Sequence, residues 1–125
     1  MSKINTYRDL EVYQRGYRLA LEIHKLTLEF SGIEKMELGS QMRRAFKSTP
    51  TNIAEGFGRR YFKKEYLRYL GMAKSSVDEM RVHLQFVNDL QYITKEKYDY
   101  FVAEYQILGK QLSSLINSWL KLNDQ

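Results

Sequence analysis

Apolar side chains recur every three or four residues in four segments of the chain, the spacing that returns them to one face of an α-helix. The segments cover residues 10–30, 38–57, 62–87 and 98–122, and each predicts one amphipathic helix. Because only a few residues separate consecutive segments, neighbouring helices must run antiparallel. The pattern predicts an all-α fold, an antiparallel up-down-up-down four-helix bundle.

Capping residues set the predicted limits of these helices. We predict that Asp9 is the N-cap of the first helix and that Gly32 ends this helix. We also predict that Thr94 is the N-cap of the fourth helix. The second helix is predicted to begin near Ser40 and to end around residues 56–58. With these limits, every connection between helices is short.

Pro50 is the one irregularity in the second segment. Proline lacks a backbone N–H, and its ring clashes with the preceding turn of a helix. We therefore predict a second helix that is kinked between residues 47 and 53. The alternative is that the second helix begins only after Pro50.

Composition agrees with a single domain over residues 1–125. The chain is 43% hydrophobic and 28% charged, a mixture that can bury a core and stay soluble. One proline and seven glycines are few for a β-sandwich or barrel, and the absence of cysteine excludes disulfides and thiolate chemistry. The N-terminus lacks the apolar stretch of a signal peptide, and no long apolar run occurs. We expect a soluble, cytoplasmic protein with no membrane partner.

Positive charge is concentrated in one part of the chain. Residues 41–70 hold eight basic and two acidic residues, a balance of +6, so the remaining residues carry −1 of the net charge of +5. Such a concentration favours binding to the phosphates of RNA or DNA, because each neutralised phosphate releases counterions. The alternative is an ordinary solvated face. The candidate nucleic-acid-binding residues are Arg43, Arg44, Lys47, Arg59, Arg60, Lys63, Lys64 and Arg68.

Aromatic and apolar side chains raise two further questions. Tyr61 and Tyr69 interleave with the cations and are candidates for stacking on unpaired bases. The alternative is that they pack in the core. The apolar arc of the fourth helix spreads over about 160°, wider than the roughly 100° that a bundle interior needs. This width predicts either a subunit or partner interface or generous core packing with Trp119 partly exposed.

A longer motif lies in the second segment: residues 38–45 read LGSQMRRA and residues 48–56 read STPTNIAEG, followed by Arg59. It resembles the signature of the small four-helix bundle proteins encoded in intervening sequences of bacterial 23S ribosomal RNA genes, the S23 ribosomal protein-like family. The similarity continues through DLEV at residues 9–12, residues 67–70 with Ala73, and LQYI at residues 90–93. Two positions depart from the family pattern. Tyr61 stands where the family usually has Ser or Thr capping the third helix, and Gln91 stands where it often has Gly.

The resemblance implies a bundle that assembles as a ring, typically a homopentamer. It also implies distant kinship with the accessory protein of diversity-generating retroelements, which binds nucleic acid and a reverse transcriptase. It does not imply an established molecular function. The departures at Tyr61 and Gln91 should weaken one helix cap and one helix end.

Polar residues of the same motif form a second candidate site. On a helical wheel, Arg44, Asn52 and Arg59 lie within about 80° of one another, together with the polar residues between them. One interpretation is a solvated or interface network in which Asn52 and Glu55 satisfy backbone groups freed by Pro50 and pair with arginines. The family polar motif comprises Gln41, Arg44, Ser48, Asn52 and Glu55.

No pattern of residues indicates catalysis or metal binding. His24 and His83 are the only histidines, and Glu79 with His83 supplies two ligands on one helix face, too few for a metal site. Ser75 and Ser76 have no evident orienting acid for a hydrolytic triad. We expect no enzyme activity, no catalytic residues, no metal and no cofactor.

Two functional hypotheses remain. The first is a non-enzymatic, oligomeric bundle that binds structured RNA or DNA through a basic surface on the second and third helices. The second is a protein-interaction scaffold without nucleic-acid binding. Steep salt dependence of RNA binding would favour the first hypothesis.

Overall fold

The computed structural model describes residues 3–122 and shows four helices with no strand among these residues. A short 3₁₀ turn at Tyr7–Asp9 leads into α1. Each helix packs against the next in the chain, and α4 returns to pack against α1. The predicted all-α four-helix bundle is confirmed. The helices are α1 (Glu11–Leu28), α2 (Ile33–Phe57), α3 (Lys63–Asp89) and α4 (Lys95–Leu120).

Buried apolar side chains from all four helices form one core cluster. The indole of Trp119 is half-buried and packs edge-on against the ring of Tyr66, with 4.7 Å between the ring centroids. Most of the broad apolar arc of α4 is therefore core packing, while Leu120 and Leu122 at its end stay exposed. The largest fully buried side chains are Tyr66, Tyr105, Phe46, Leu19, Ile23, Met42, Ile53, Leu70, Met80, Leu84, Leu108 and Leu112.

The N-terminal limits of α1 and α2 differ from the prediction. Asp9 does not cap α1, whose N-cap is Leu10. The Asp9 carboxylate accepts hydrogen bonds from the backbone N–H of Asn5 and Thr6 and completes a capping box with Thr6, the N-cap of the 3₁₀ turn. Gly32 does not end α1, which stops at Leu28. With a φ of +90°, Gly32 is instead the N-cap of α2, a conformation that glycine adopts without steric penalty. The prediction that α2 begins near Ser40 is therefore wrong by about two turns.

The helix α2 continues without interruption through Pro50, so the alternative in which it begins after this residue is wrong. Because Pro50 has no N–H, the carbonyl of Phe46 has no donor from its usual partner four residues on. The side-chain amide of Asn52 donates to the carbonyl of Ser48 at 2.9 Å, and not to that of Phe46. The kink at Pro50 stays a prediction.

The connection between α3 and α4 agrees with the sequence in detail. Thr94 is the N-cap of α4, and its side-chain oxygen accepts the N–H of Lys97 at 3.2 Å. Gln91 has a φ of +61°, the one positive φ of a non-glycine residue within residues 3–122. The N–H of Tyr92 donates to the carbonyl of Val87 at 2.8 Å, the bond that closes a helix whose following residue is left-handed. Glycine, which the family resemblance implies is often found at position 91, fits this conformation better than glutamine does.

Charged side chains join α1 to α4 on the bundle surface. The carboxylate of Glu104 accepts a hydrogen bond from Arg15 at 2.8 Å and another from Arg18. Hydrogen bonding to Glu104 raises the pKa of the Arg18 guanidinium. The Tyr100 hydroxyl donates to Glu22 at 2.6 Å, and this bond raises the pKa of Tyr100. These contacts connect α1, the first helix of the bundle, with α4, the last.

Candidate nucleic-acid interface

The connection between α2 and α3 is a tight turn over residues 58–62. The N–H of Arg59 donates to the carbonyl of Gly56, and the N–H of Phe62 donates to the carbonyl of Arg59, both at 2.9 Å. A Cβ on Gly56 would lie 2.7 Å from the Cβ of Tyr69, so only glycine permits this approach of the two helices. The turn therefore brings the last residues of α2 beside the first turns of α3.

Five of the eight predicted cations lie in this turn or in the first two turns of α3, and we call them the basic turn. Arg59 and Arg68 contact the ring of Tyr69, with 4.8 and 4.7 Å between each guanidinium carbon and the ring centroid. Cations over an aromatic face are attracted by its quadrupole, so both guanidiniums are held in place. The members of the basic turn are Arg59, Arg60, Lys63, Lys64 and Arg68.

Glu65 partly neutralises the basic turn. The carboxylate of Glu65 accepts hydrogen bonds from Arg68 at 2.9 and 3.2 Å. Hydrogen bonding by Arg68 lowers the pKa of Glu65, and the same contact raises the pKa of Arg68. The pair is exposed to solvent, so it adds little to the stability of the fold.

The other cations of the basic turn differ in exposure. The guanidinium of Arg60 is half-buried, 4.0 Å from the ring centroid of Phe57 and 5.0 Å from that of Tyr61, and it donates to the carbonyl of Phe57 at 2.9 Å. Lys63 donates to the carbonyl of Leu122 at 2.6 Å. Lys64 is exposed. The buried Tyr66 beneath them has its pKa raised to about 12 by burial.

The three remaining predicted cations lie along α2, away from the basic turn. Lys47 lines the groove between α1 and α2, and Arg44 lines the groove between α2 and α3. The guanidinium of Arg43 lies beside Gly39, near Phe30. Lys47 precedes the end of α2 by ten residues, about 15 Å of helix axis. The eight cations therefore do not form one continuous patch.

The family polar motif is divided between the two sides of α2. Gln41, Arg44 and Ser48 line a groove of about 410 Å³ on the α3 side, and the hydroxyls of Ser48 and Ser76 share a hydrogen bond of 2.8 Å. Asn52 donates to the hydroxyl and the carbonyl of Ser48, both at 2.9 Å.

Glu55 lies on the other side of α2, where it lines the groove between α1 and α2. Its backbone carbonyl accepts a hydrogen bond from the Arg59 guanidinium at 3.0 Å. Its carboxylate forms no ion pair within residues 3–122, so the predicted pairing of Glu55 with arginines is absent from this part of the chain.

Two features of this site are not evident from the sequence. Phe62 stands at the N-cap of α3, makes no side-chain capping bond and is 71% exposed. A phenylalanine next to the first turn of an amphipathic helix resembles a core residue in the sequence, so the apolar pattern does not indicate that Phe62 is exposed. Ser76 draws attention in the sequence only as a candidate nucleophile, because its hydrogen bond to Ser48 depends on the packing of two helices.

Metal-binding and membrane-spanning features are both missing from the part of the chain that the structure describes. Between residues 3 and 122, no group of three or more His, Cys, Asp or Glu side chains is placed to hold a metal ion. His83 and Glu79 form the predicted pair on one helix face, at 3.0 Å. No helix among these residues is both long and apolar enough to cross a membrane.

A four-helix bundle with a positively charged turn between its second and third helices is the class of protein that this fold and site define. The family described as 23S rRNA-intervening sequence protein matches residues 8–114. The chain belongs to this family, as its sequence motifs predicted. The comparison with curated proteins gave no match.

A solved structure shows the same fold. It is the crystal structure of a protein with unknown function from the S23 ribosomal protein family of Bacteroides thetaiotaomicron VPI-5482. Its TM-score to this chain is 0.74 at 22% sequence identity, and the alignment covers 85% of this chain and 95% of that chain. At this identity the likeness concerns the architecture of the bundle.

Proposed function

We propose that this chain is a non-enzymatic, cytoplasmic bundle protein that binds RNA or DNA through the basic turn. The observation that carries the proposal is the gathering of five cations within ten residues, with Glu65 as the one acid among them. Lys and Arg side chains contact phosphates without reading base sequence. The basic turn therefore suits an oligoanion and predicts no sequence preference.

The number of cations gives the expected salt dependence. If all five members of the basic turn neutralise phosphates of a single strand, log Kd rises with log salt with a slope of about 3.5. Raising the salt from about 50 to 200 mM then weakens binding about 100-fold. Fluorescence anisotropy with labelled ribosomal RNA fragments at these two salt concentrations measures the effect. Binding that does not change with salt would overturn the proposal.

A pair of charge-matched variants locates the binding surface. R59Q/K64Q removes two charges from the basic turn, whereas R81Q/K110Q removes two exposed charges from α3 and α4. The first variant should bind more weakly and lower the salt slope by about 1.4, while the second should keep the wild-type slope. Equal losses in both variants would show that binding follows net charge alone, and would exclude the basic turn as the site.

A second proposal concerns self-association. Self-association is also part of the alternative function, that of a protein-interaction scaffold. Val82 and Phe86 on α3 and Leu90 at its C-cap recur every fourth residue and are each more than half exposed. On another part of the bundle, Tyr17 and Leu21 border an apolar groove of about 560 Å³ between α1 and α2. Two different apolar surfaces on one subunit favour head-to-tail contacts, which form a ring when the rotation between subunits closes. We propose a homopentamer, the assembly that the family resemblance implies.

Light scattering of the purified protein tests the assembly. We expect a mass of five chains at micromolar concentration, and F86E should shift it toward the monomer. Q85E is the matched control, because Gln85 is an exposed neighbour of Phe86 that carries no apolar surface. A monomeric wild-type mass would refute the ring. An intact ring that binds no nucleic acid would favour the scaffold function.

A further inference from the structure

The turn between α2 and α3 exposes two neighbouring aromatic rings. Tyr61 is 84% exposed and Phe62 is 71% exposed, whereas Phe57 and Tyr66, close by in the sequence, are buried. Adjacent large aromatic side chains that face solvent gain nothing from the hydrophobic effect. Neither ring is needed to complete the core.

Phe62 also has no local structural role. It occupies the N-cap position of α3, where Ser, Thr, Asp or Asn would accept a backbone N–H, and it makes no such bond. A residue that neither caps its helix nor packs in the core is best explained by contact with something outside the chain. Tyr61 precedes the N-cap of α3 and likewise lies outside the core.

The surroundings of these rings are positively charged. The Arg60 guanidinium lies 5.0 Å from the ring centroid of Tyr61, and Arg59 and Lys64 are exposed on either side of the pair in the sequence. Tyr69, the other tyrosine of this region, is already contacted by Arg59 and Arg68. Exposed aromatic rings and cations that suit phosphates therefore meet at Tyr61 and Phe62.

From this arrangement we infer that the basic turn binds unpaired nucleotides, with bases stacked on Tyr61 and Phe62. This inference rests on the proposed function and specifies its ligand. In a duplex the base faces are covered by neighbouring pairs, so only single strands, loops or bulges offer a face to an aromatic ring. A membrane surface is disfavoured, because surface-binding helices need a broad apolar face and this turn offers two side chains.

Paired binding measurements test the inference. Fluorescence anisotropy compares the wild-type protein on a labelled 12-nucleotide oligouridine and on a 12-base-pair RNA duplex, at one salt concentration. We expect tighter binding to the single strand. The substitutions Y61S and F62S should each weaken single-strand binding about ten-fold and leave duplex binding unchanged.

Two controls separate stacking from folding. Y61F keeps the ring and should bind the single strand like the wild type. F62S removes the ring but supplies a capping hydroxyl, so its thermal unfolding temperature should equal or exceed that of the wild type. A loss of binding in a well-folded F62S variant therefore reports the missing ring.

The outcomes distinguish this inference from the proposed function. If Y61S and F62S bind the single strand as the wild type does, while R59Q/K64Q loses binding, the basic turn stands and stacking is refuted. If the wild-type protein binds neither RNA, both proposals fail. Binding to phosphatidylserine vesicles that depends on Tyr61 and Phe62, without RNA binding, would overturn the inference in favour of a lipid surface.

Discussion

The close approach of α2 and α3 at Gly56 makes a sharp prediction about stability. A Cβ at this position would lie 2.7 Å from the Cβ of Tyr69 and 3.3 Å from the ring of Tyr66. The first distance is about 0.7 Å short of ordinary van der Waals contact, which begins at 3.4 Å. Because the Cβ of Tyr69 is fixed to the backbone, it cannot rotate away. In G56A the two helices must move apart.

The expected free energy follows from two opposing terms. Replacing glycine by alanine inside a helix stabilises by about 1 kcal/mol, whereas overpacking destabilises by about 1–3 kcal/mol. Since a backbone-linked atom is the obstacle, we expect the upper part of that range and a net loss of about 1–2 kcal/mol for G56A. Gly71 in α3 is the matched control: a Cβ on this residue would meet no heavy atom within 4 Å, so G71A should stabilise by about 1 kcal/mol.

Urea unfolding followed by circular dichroism measures both variants at one protein concentration, because self-association makes stability depend on concentration. The urea concentration at the midpoint of unfolding should fall for G56A and rise for G71A, and the dependence of the unfolding free energy on urea concentration should stay that of the wild type. The difference between the two unfolding free energies should be about 2–3 kcal/mol. If G56A proves as stable as G71A, the helices can separate at Gly56 without cost, and the tight packing of α2 against α3 at this residue is wrong.

Three further substitutions test particular contacts. Q91G should raise the unfolding free energy by about 0.5–1 kcal/mol in the same assay, because glycine adopts the left-handed conformation without strain; an unchanged or lower value would contradict the strained end of α3. E65Q should release Arg68 and strengthen RNA binding at neutral pH. In the wild type, RNA binding should strengthen in the same way only as the pH falls through the lowered pKa of Glu65, when the carboxylate is protonated and its pair with Arg68 is lost. An RNA affinity of the wild type that does not change over this pH range would refute the pairing. E104Q should lower the unfolding free energy by about 1 kcal/mol at low salt and by less at about 1 M salt, and an equal loss at both salt concentrations would show that the contacts of Glu104 are not electrostatic.

Periodicity predicted the helices well where an apolar face is buried. The N-terminal part of α2 was missed because its apolar residues do not mark a packed face: Ile33 is 77% exposed and Met36 is 59% exposed. In the sequence, Gly32 resembles the end of α1, because glycine commonly follows a helix. Its role as N-cap of the next helix depends on a backbone angle that the sequence does not display.

The charges of the candidate site were countable in the sequence, but their division in space was not. Lys47 and Arg44 are three residues apart and line different grooves, because α2 packs against α1 on one side and α3 on the other. Which cations surround the turn follows from the antiparallel pairing of α2 with α3. The exposure of Phe62 follows from where the core ends, a property of the whole bundle that no local pattern records.

The packing of α2 against α3 at Gly56 determines where the cations of the basic turn lie. Gly56 allows the backbone of α3 to come close enough for Tyr69 to lie beside α2, and Tyr69 then holds Arg59 and Arg68 on its ring. Long cationic side chains lose rotamer freedom when they bind a ligand, which weakens association. Here part of that ordering already occurs when the chain folds. Under the proposed function, the packing that makes Gly56 necessary therefore also orders the guanidiniums of Arg59 and Arg68 before they contact phosphates, while Tyr61 and Phe62 stay exposed to the ligand.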